Sequence, residues 1–441
     1  MKVDAKTNNM KVAFYTLGCK VNQYETNLLK EQFEKSGYEI VDNTEKADIY
    51  CINTCTVTNM SDRKTRQAIS RMKKLNENSI IIVLGCYVES IKDATDVFKN
   101  VDIVLGNEEK SRVIEAVNNF KEKNNKIKML EDISKVKKYK KQEGLKHGYG
   151  VRVSIKIEDG CNNFCSYCII PYVRGRVRSR EASEIINEVE SLVSSGTKEV
   201  ILVGIEISSY GTDGKKEGLI DIVEKVSNVQ GLERIRLGSI EPRLLTEENI
   251  IRLKKVEKFC PHFHISMQSG STDTLKRMNR KYDKNLLITA TQNIHKHFKD
   301  ANITADLIVG FPGETEEEFN ETQETIDKMG MSKIHVFKYS KRKYTNAAKM
   351  ENQIDEIDKK TRSKKILDKS DSLTEEFMKK HINTNTKILF EEYNAGFLNG
   401  YTENYIMVKV RGEEELCGTI QDVDLISLGK EQMTGTLKGK N

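Results

Sequence analysis

At 441 residues the chain is too long for one ordinary core and implies about two to four domains. It is 37% hydrophobic and 31% charged, with neither a signal-like apolar start nor a run near the roughly 18 apolar residues of a membrane span, which predicts a cytoplasmic protein without a membrane partner. A formal charge of +6 is only mildly basic, and nine cysteines, an odd number, suit metal ligation better than a disulfide framework.

The first region alternates strands and helices. Residues 12–17 read as a buried strand ending at Gly18-Cys19, and Tyr24, Leu28, Leu29 and Phe33 mark one face of a helix that Gly37 can terminate. Further strands are predicted at 47–52 before Cys55, at 80–84 before Cys86, and at 101–105. Such alternation implies a parallel sheet, whose ligands sit beyond the strands' carboxyl ends. Cys19, Cys55 and Cys86, scattered in sequence, can therefore converge. Cys51 lies inside a strand and reads as a small buried hydrophobe.

Residues 123–146 form a basic linker; from 126 to 146 there are eight lysines and three acids. A second α/β region spans about 147–377, with strands at 151–157, 200–203, 234–237, 262–266, 304–309 and 333–337. Six such units suit an open or partial barrel with its site at the strands' C-terminal rim. A charged helix is expected over 355–381. From 380 to 441 the period becomes two and glycines recur at Gly396, Gly400, Gly412 and Gly418, predicting a small β module.

Two cysteine groups carry the chemistry. Cys161-Asn-Asn-Phe-Cys-Ser-Tyr-Cys168 lets one loop wrap Cys161, Cys165 and Cys168 around a compact centre. No fourth local ligand is present for zinc, which favours iron–sulfur over zinc or an inert structural set. Two groups of three suggest two centres, each with an open position.

The Cys-x3-Cys-x2-Cys loop, with Tyr167, resembles the signature of radical S-adenosylmethionine (SAM) enzymes. The resemblance implies a [4Fe-4S] cluster whose open iron chelates SAM, and reductive cleavage of SAM to a 5′-deoxyadenosyl radical. Thr16-Leu-Gly-Cys-Lys-Val-Asn-Gln-Tyr-Glu-Thr26, Asn53-Thr-Cys-Thr-Val-Thr58 and Gly85-Cys-Tyr87 resemble the methylthiotransferases, in which three dispersed cysteines hold an auxiliary [4Fe-4S] cluster; the matching positions are Cys19, Cys55 and Cys86. The tail, with Gly400-Tyr-Thr-Glu-Asn-Tyr-Ile406, is similar to a TRAM domain, a small β-barrel that binds RNA.

The implied architecture is a multidomain α/β chain. It has a Rossmann-like parallel α/β domain over 10–122, a radical SAM partial (β/α)6 barrel over 147–377, and a TRAM β-barrel over 380–441. Gly18-Cys-Lys-Val-Asn-Gln-Tyr-Glu25, with Cys168-Ile-Ile-Pro-Tyr-Val-Arg-Gly-Arg-Val-Arg-Ser-Arg180, resembles the subfamily that converts N6-threonylcarbamoyladenosine beside the tRNA anticodon to its 2-methylthio form. The resemblance implies tRNA and an electron donor such as flavodoxin or ferredoxin as partners, and no DNA. The rivals are a sibling acting on isopentenyladenosine or a ribosomal protein, and a non-catalytic RNA-binding iron–sulfur protein.

Glu241, Ser266 and Gln268, at or just after strand ends, and Asp306, in the strand at 304–309, are the candidates for SAM contacts, together with Glu206, which stands where relatives often carry His or Gln. If extended, 174–180 places Arg174, Arg176, Arg178 and Arg180 on one face as candidate RNA contacts, the alternative being that they brace the cluster loop or pair with acids. Lys338, Lys341, Arg342 and Lys343 read as a solvated basic run. Residues 382–441 carry six basic and nine acidic residues, net −3, so phosphate contacts are expected elsewhere.

Overall fold

The computed structural model describes residues 10–91, 98–141 and 143–438, which divide into two compact units. The first comprises residues 1–145, 154–180 and 340–348; the second comprises 146–153, 181–339 and 349–441. The units do not follow the expected domain order, because the segment bearing the tight cysteine triplet packs with the N-terminal region.

In the first unit, strands β1 (Lys11–Thr16), β2 (Glu39–Val41), β3 (Ile49–Thr54), β4 (Ile80–Gly85), β5 (Ile103–Leu105) and β6 (Ile127–Met129) form one parallel sheet of order β2-β1-β3-β4-β5-β6. Alternate residues feed two cores. Val12, Phe14, Ile49, Cys51, Ile82 and Leu84 pack with Leu29 and Phe33 of helix α1 (Lys20–Lys35). Ala13, Tyr50, Ile52, Ile81 and Val83 pack with Ala68, Ile69 and Met72 of helix α2 (Asn59–Leu75). Burial of both sheet faces explains why these strands read as unbroken apolar runs.

One expectation is corrected here. The basic linker is partly structured: β6 pairs with β5, and Ile133 and Leu145 are buried, so the lysines flank apolar anchors. Strand β2, at three residues, is too short to show a period in the sequence.

In the second unit, strands Glu199–Val203 and Arg234–Leu237 pair in parallel, as do His262–Gln268, Asn302–Val309 and Lys333–Lys338. A bridge between Ile240 and Ile265 joins the two groups into one row, the expected partial barrel. Helix Glu356–Lys379 leads to five strands, Asn385–Asn394, Phe397–Thr402, Met407–Arg411, Ile420–Leu428 and Met433–Leu437, which close into a barrel. Arg234 donates to the carbonyls of Tyr401 and Lys387 (2.9 and 2.8 Å), and Arg236 to those of Glu403 and Thr402 (2.9 and 3.5 Å). Their burial is offset by Glu199, which accepts from Arg236 at 2.8 Å.

Candidate functional site

Cys19, Cys55 and Cys86 each follow the carboxyl end of one of three adjacent strands, β1, β3 and β4. Register pairs Thr16 with Asn53 and Thr54 with Gly85, so the three chain exits lie side by side. Neighbouring strands are about 4.8 Å apart, which brings three distant cysteines within reach of one centre. Glycine makes two of the turns possible. Gly18 (φ +109°) and Gly85 (φ +103°) hold left-handed conformations, and a Cβ on Gly18 would stand 2.8 Å from the Cβ of Cys55.

As thiols the three interact. Burial pushes Cys55 up to about 11, with the charges of Cys86 and Cys19 adding to it. Burial also raises Cys19, Arg174 opposing and Cys86 adding, although part of the Cys19 surface is exposed. Cys51 does not take part: it is buried in the core and pushed up to about 12, as expected of a small hydrophobe. Among the described residues, no three His, Cys, Asp or Glu side chains are drawn close enough for a single metal ion. Three thiols without imidazole are the donor chemistry of an iron–sulfur cluster, whose several irons reach ligands standing further apart.

The tight triplet belongs to the same compact unit. Gly160 (φ +83°) precedes Cys161, and any Cβ there would lie 1.9 Å from the Arg176 carbonyl oxygen. The Cys161 amide donates to Gly175 (3.1 Å), the Cys168 amide to Cys165 (3.0 Å), and the Asn163 amide to the Cys161 thiol (3.4 Å). The loop is thus closed on itself before anything binds it.

The arginine run is corrected. Its residues never share one strand: a short helix at Ile170–Val173 and the turn at Gly175 (φ +75°) leave only Arg178–Ser179 extended. Arg174, Arg178 and Arg180 are buried, so their guanidinium groups cannot reach phosphate; they take the bracing role weighed as the alternative. Arg176 alone is exposed, lying over the Phe164 ring of the cysteine loop at 4.4 Å.

Arg174 exposes none of its surface. Its Nε donates to the Cys86 Sγ (3.2 Å), Nη1 to Glu25 (2.6 Å) and Asp159 (3.2 Å), and Nη2 to Asn22 (2.7 Å) and Glu25 (3.0 Å). Glu25 also accepts from Lys110 and from Lys156 (2.8 Å), and Arg178 from the same loop meets Glu108 (2.8 Å). Burial alone would raise Glu25; Arg174, Lys110 and Lys156 outweigh it and hold the carboxyl well below its usual range. Asn107 completes the surround, donating to the Val173 carbonyl (2.7 Å) and lying 3.8 Å from the Cys86 sulfur. Sequence reasoning missed Glu25, Lys110, Lys156 and Asp159 as a set. The available signal was adjacency: Glu25 follows Cys19 by six residues, and Asp159 precedes Cys161 by two.

The SAM candidates lie in the second unit. Glu206 is buried near Glu241, and burial followed by that neighbouring charge pushes its pKa up to about 7. Glu241 is engaged by Arg243 (2.7 Å). Ser266 and Gln268 share the half-open face of their strand with His264, and Gln268 sits at φ +63° in a bulge. Asp306 meets His264 Nε2 (3.2 Å). In the basic run, Arg342 is corrected: it is buried and bound to Asp62 (2.7 Å), Thr56 (2.6 Å) and Asn59 (2.6 Å), while Lys338, Lys341 and Lys343 are exposed.

A row of parallel strands with a three-cysteine loop leading into it defines the class of radical SAM proteins, and residues 155–326 match the Radical SAM superfamily. Residues 11–106 match a family described as Uncharacterized protein family UPF0004. The chain is 39% identical to a threonylcarbamoyladenosine tRNA methylthiotransferase, MtaB, of Bacillus subtilis (95% of this chain, 94% of that one) and 37% identical to MtaB of Aquifex aeolicus (92% and 98%). It is 33% identical to a tRNA-2-methylthio-N(6)-dimethylallyladenosine synthase of Alkaliphilus oremlandii (99% and 94%). The fold is shared with the radical SAM methyltransferase TsrM of Kitasatospora setae (TM-score 0.57, 14% identity, 77% of each chain). The chain belongs to the radical SAM methylthiotransferase family.

Proposed function

We propose that this chain is a cytoplasmic tRNA methylthiotransferase that converts N6-threonylcarbamoyladenosine beside the anticodon to its 2-methylthio derivative. Cys161, Cys165 and Cys168 would hold a radical SAM [4Fe-4S] cluster, and Cys19, Cys55 and Cys86 an auxiliary one. The observation that carries the reading is the second triad: three cysteines at adjacent strand ends, in one compact unit with the SAM-type loop. When bound, the two clusters and SAM supply methyl transfer to sulfur and the radical that takes hydrogen from adenine C2.

The chain's own residues hold and bias these groups. Gly18, Gly85 and Gly160 supply the positive-φ turns that lead into Cys19, Cys86 and Cys161. Arg174 keeps a proton on Nε directed at Cys86, favouring the thiolate that ligation requires. Four buried cations, Lys110, Lys156, Arg174 and Arg178, face three carboxylates, Glu25, Glu108 and Asp159, leaving one positive charge beside the thiolates. In the second unit, Glu206, Glu241 and Asp306 supply carboxylates suited to the SAM amino group and ribose hydroxyls, with Ser266 and Gln268 as neutral partners. A flavodoxin or ferredoxin would supply the electron.

The dimethylallyladenosine relatives support a sibling reading, since their identity is nearly as high. Nucleoside mass spectrometry of tRNA from a deletion strain separates the two. Loss of 2-methylthio-threonylcarbamoyladenosine alone is expected; loss of the dimethylallyl form instead would transfer the assignment to the sibling. Anaerobically purified protein should carry about eight irons with matching sulfide.

A further inference from the structure

A tRNA substrate needs a phosphate-binding surface; the C-terminal barrel region is net −3, and of the four loop arginines only Arg176 is exposed. We infer that helix α2 is the surface that grips the tRNA backbone, an inference that rests on the tRNA reading above. Its 17 residues contain six basic side chains and one acid. That acid, Asp62, is already bound to Arg342 (2.7 Å).

The charges are ordered. Arg63, Arg66, Gln67, Ser70, Arg71 and Lys74 recur at helical spacing and line one shallow groove on the solvent side, while Thr65, Ala68, Ile69 and Met72 face the core. From Arg63 to Lys74 the stripe spans about 16 Å, long enough for several consecutive phosphates. Arg66 and Arg71 are held by neutral groups, the Tyr87 hydroxyl (3.1 Å) and the Asn43 side chain (2.8 Å), which position the guanidinium groups without cancelling their charge. Arg63 and Lys74 have no ion pair among the described residues.

The helix also has a direction relative to the auxiliary cysteines. It begins four residues after Cys55, capped by Thr58, whose side chain accepts from the Ser61 amide (3.2 Å). Between Cys55 and the basic stripe stand Val57 and Met60, 51% and 56% exposed, an apolar surface on which a base can rest. Bases would thus meet the cysteine end, and phosphates of the stem would run along the helix away from it. Neutralising phosphates with Arg and Lys releases counterions, so such binding must weaken with salt.

The test uses the full-length holoenzyme and a fluorescent anticodon stem–loop transcript, with anisotropy read over a salt series. Arg63→Glu with Lys74→Glu is expected to weaken binding about tenfold or more and to make the log–log salt slope shallower by about two. A charge-matched control, Lys360→Glu with Lys364→Glu on helix Glu356–Lys379, should leave both unchanged. Equal weakening by the control, or no effect of the α2 pair while the parent binds normally, would overturn the inference and leave the tRNA reading standing. Failure of the parent to bind the transcript would remove both. Thermal melts and iron content of the α2 variant should match the parent, because both side chains are exposed.

Discussion

The Arg174 guanidinium makes six hydrogen bonds while exposing no surface, and its contacts span a cysteine thiol, two carboxylates and an amide. Removing one partner of a fully buried ion pair typically costs about 3–5 kcal/mol, because the remaining charge is left without solvent or partner. Arg174→Gln should therefore lower stability by an amount of that order in urea unfolding, and Arg174→Lys by less; equal stability for Gln and parent would refute the role. Glu206 makes a pH prediction. Its folded pKa is about 7 against an ordinary 4.5, so the folded state holds a proton that the unfolded state has lost. The stability this contributes is fully present below about pH 4.5 and is lost as pH rises through about 7. Glu206→Gln should consequently gain on the parent by roughly 3 kcal/mol between pH 4.5 and 8 without SAM. A difference that does not change with pH would rule this out. The residues that suggested the substrate subfamily also prove to be structural: Val21 and Asn22 are buried, and Glu25 holds Arg174.

At the scale of elements, the two left-handed glycines at Gly18 and Gly85 decide whether strand ends can deliver cysteines. Gly18→Ala would drive a methyl group to within 2.8 Å of the Cys55 Cβ on a backbone that L residues rarely adopt. It should cut iron from about eight toward about four per chain, while the same measurement on Cys51→Ala stays near the parent value. Undiminished iron in Gly18→Ala would show that the turn is not needed. The strands and long helices were legible because two-faced burial leaves unbroken apolar runs and the helices keep an apolar stripe; the helix expected over 355–381 is Glu356–Lys379. The arginine run was misread because alternation implies one face only if the backbone is extended, and Pro171 and Gly175 bend it. The linker was misread because charge count hid Ile127, Met129 and Ile133, three apolar contacts among eight lysines. The α2 stripe is not legible in the sequence because its charges are common helix-surface residues, and their gathering on one solvent-side groove shows only in the fold.

At the scale of the whole molecule, the compact unit holding both cysteine groups is discontinuous in sequence, assembled from 1–145, 154–180 and 340–348. No local pattern encodes that grouping, since it depends on charges brought together over distances such as the 149 residues between Glu25 and Arg174. In an isolated fragment 1–145, Glu25 would keep Lys110 but lose Arg174 and Lys156, and Glu108 would lose Arg178. Buried carboxylates without partners must either protonate or draw water into the core, and either route is costly. Extending the fragment to residue 180 restores all three cations. The 1–180 fragment should therefore unfold at higher urea than 1–145, by several kcal/mol when extrapolated to water. It should also show the smaller loss of stability on addition of salt, because buried pairs are screened less than charges exposed at a torn surface. Equal midpoints for the two fragments would mean that the N-terminal sheet does not depend on the cysteine loop, and that the charge network between them is a consequence of packing rather than its cause.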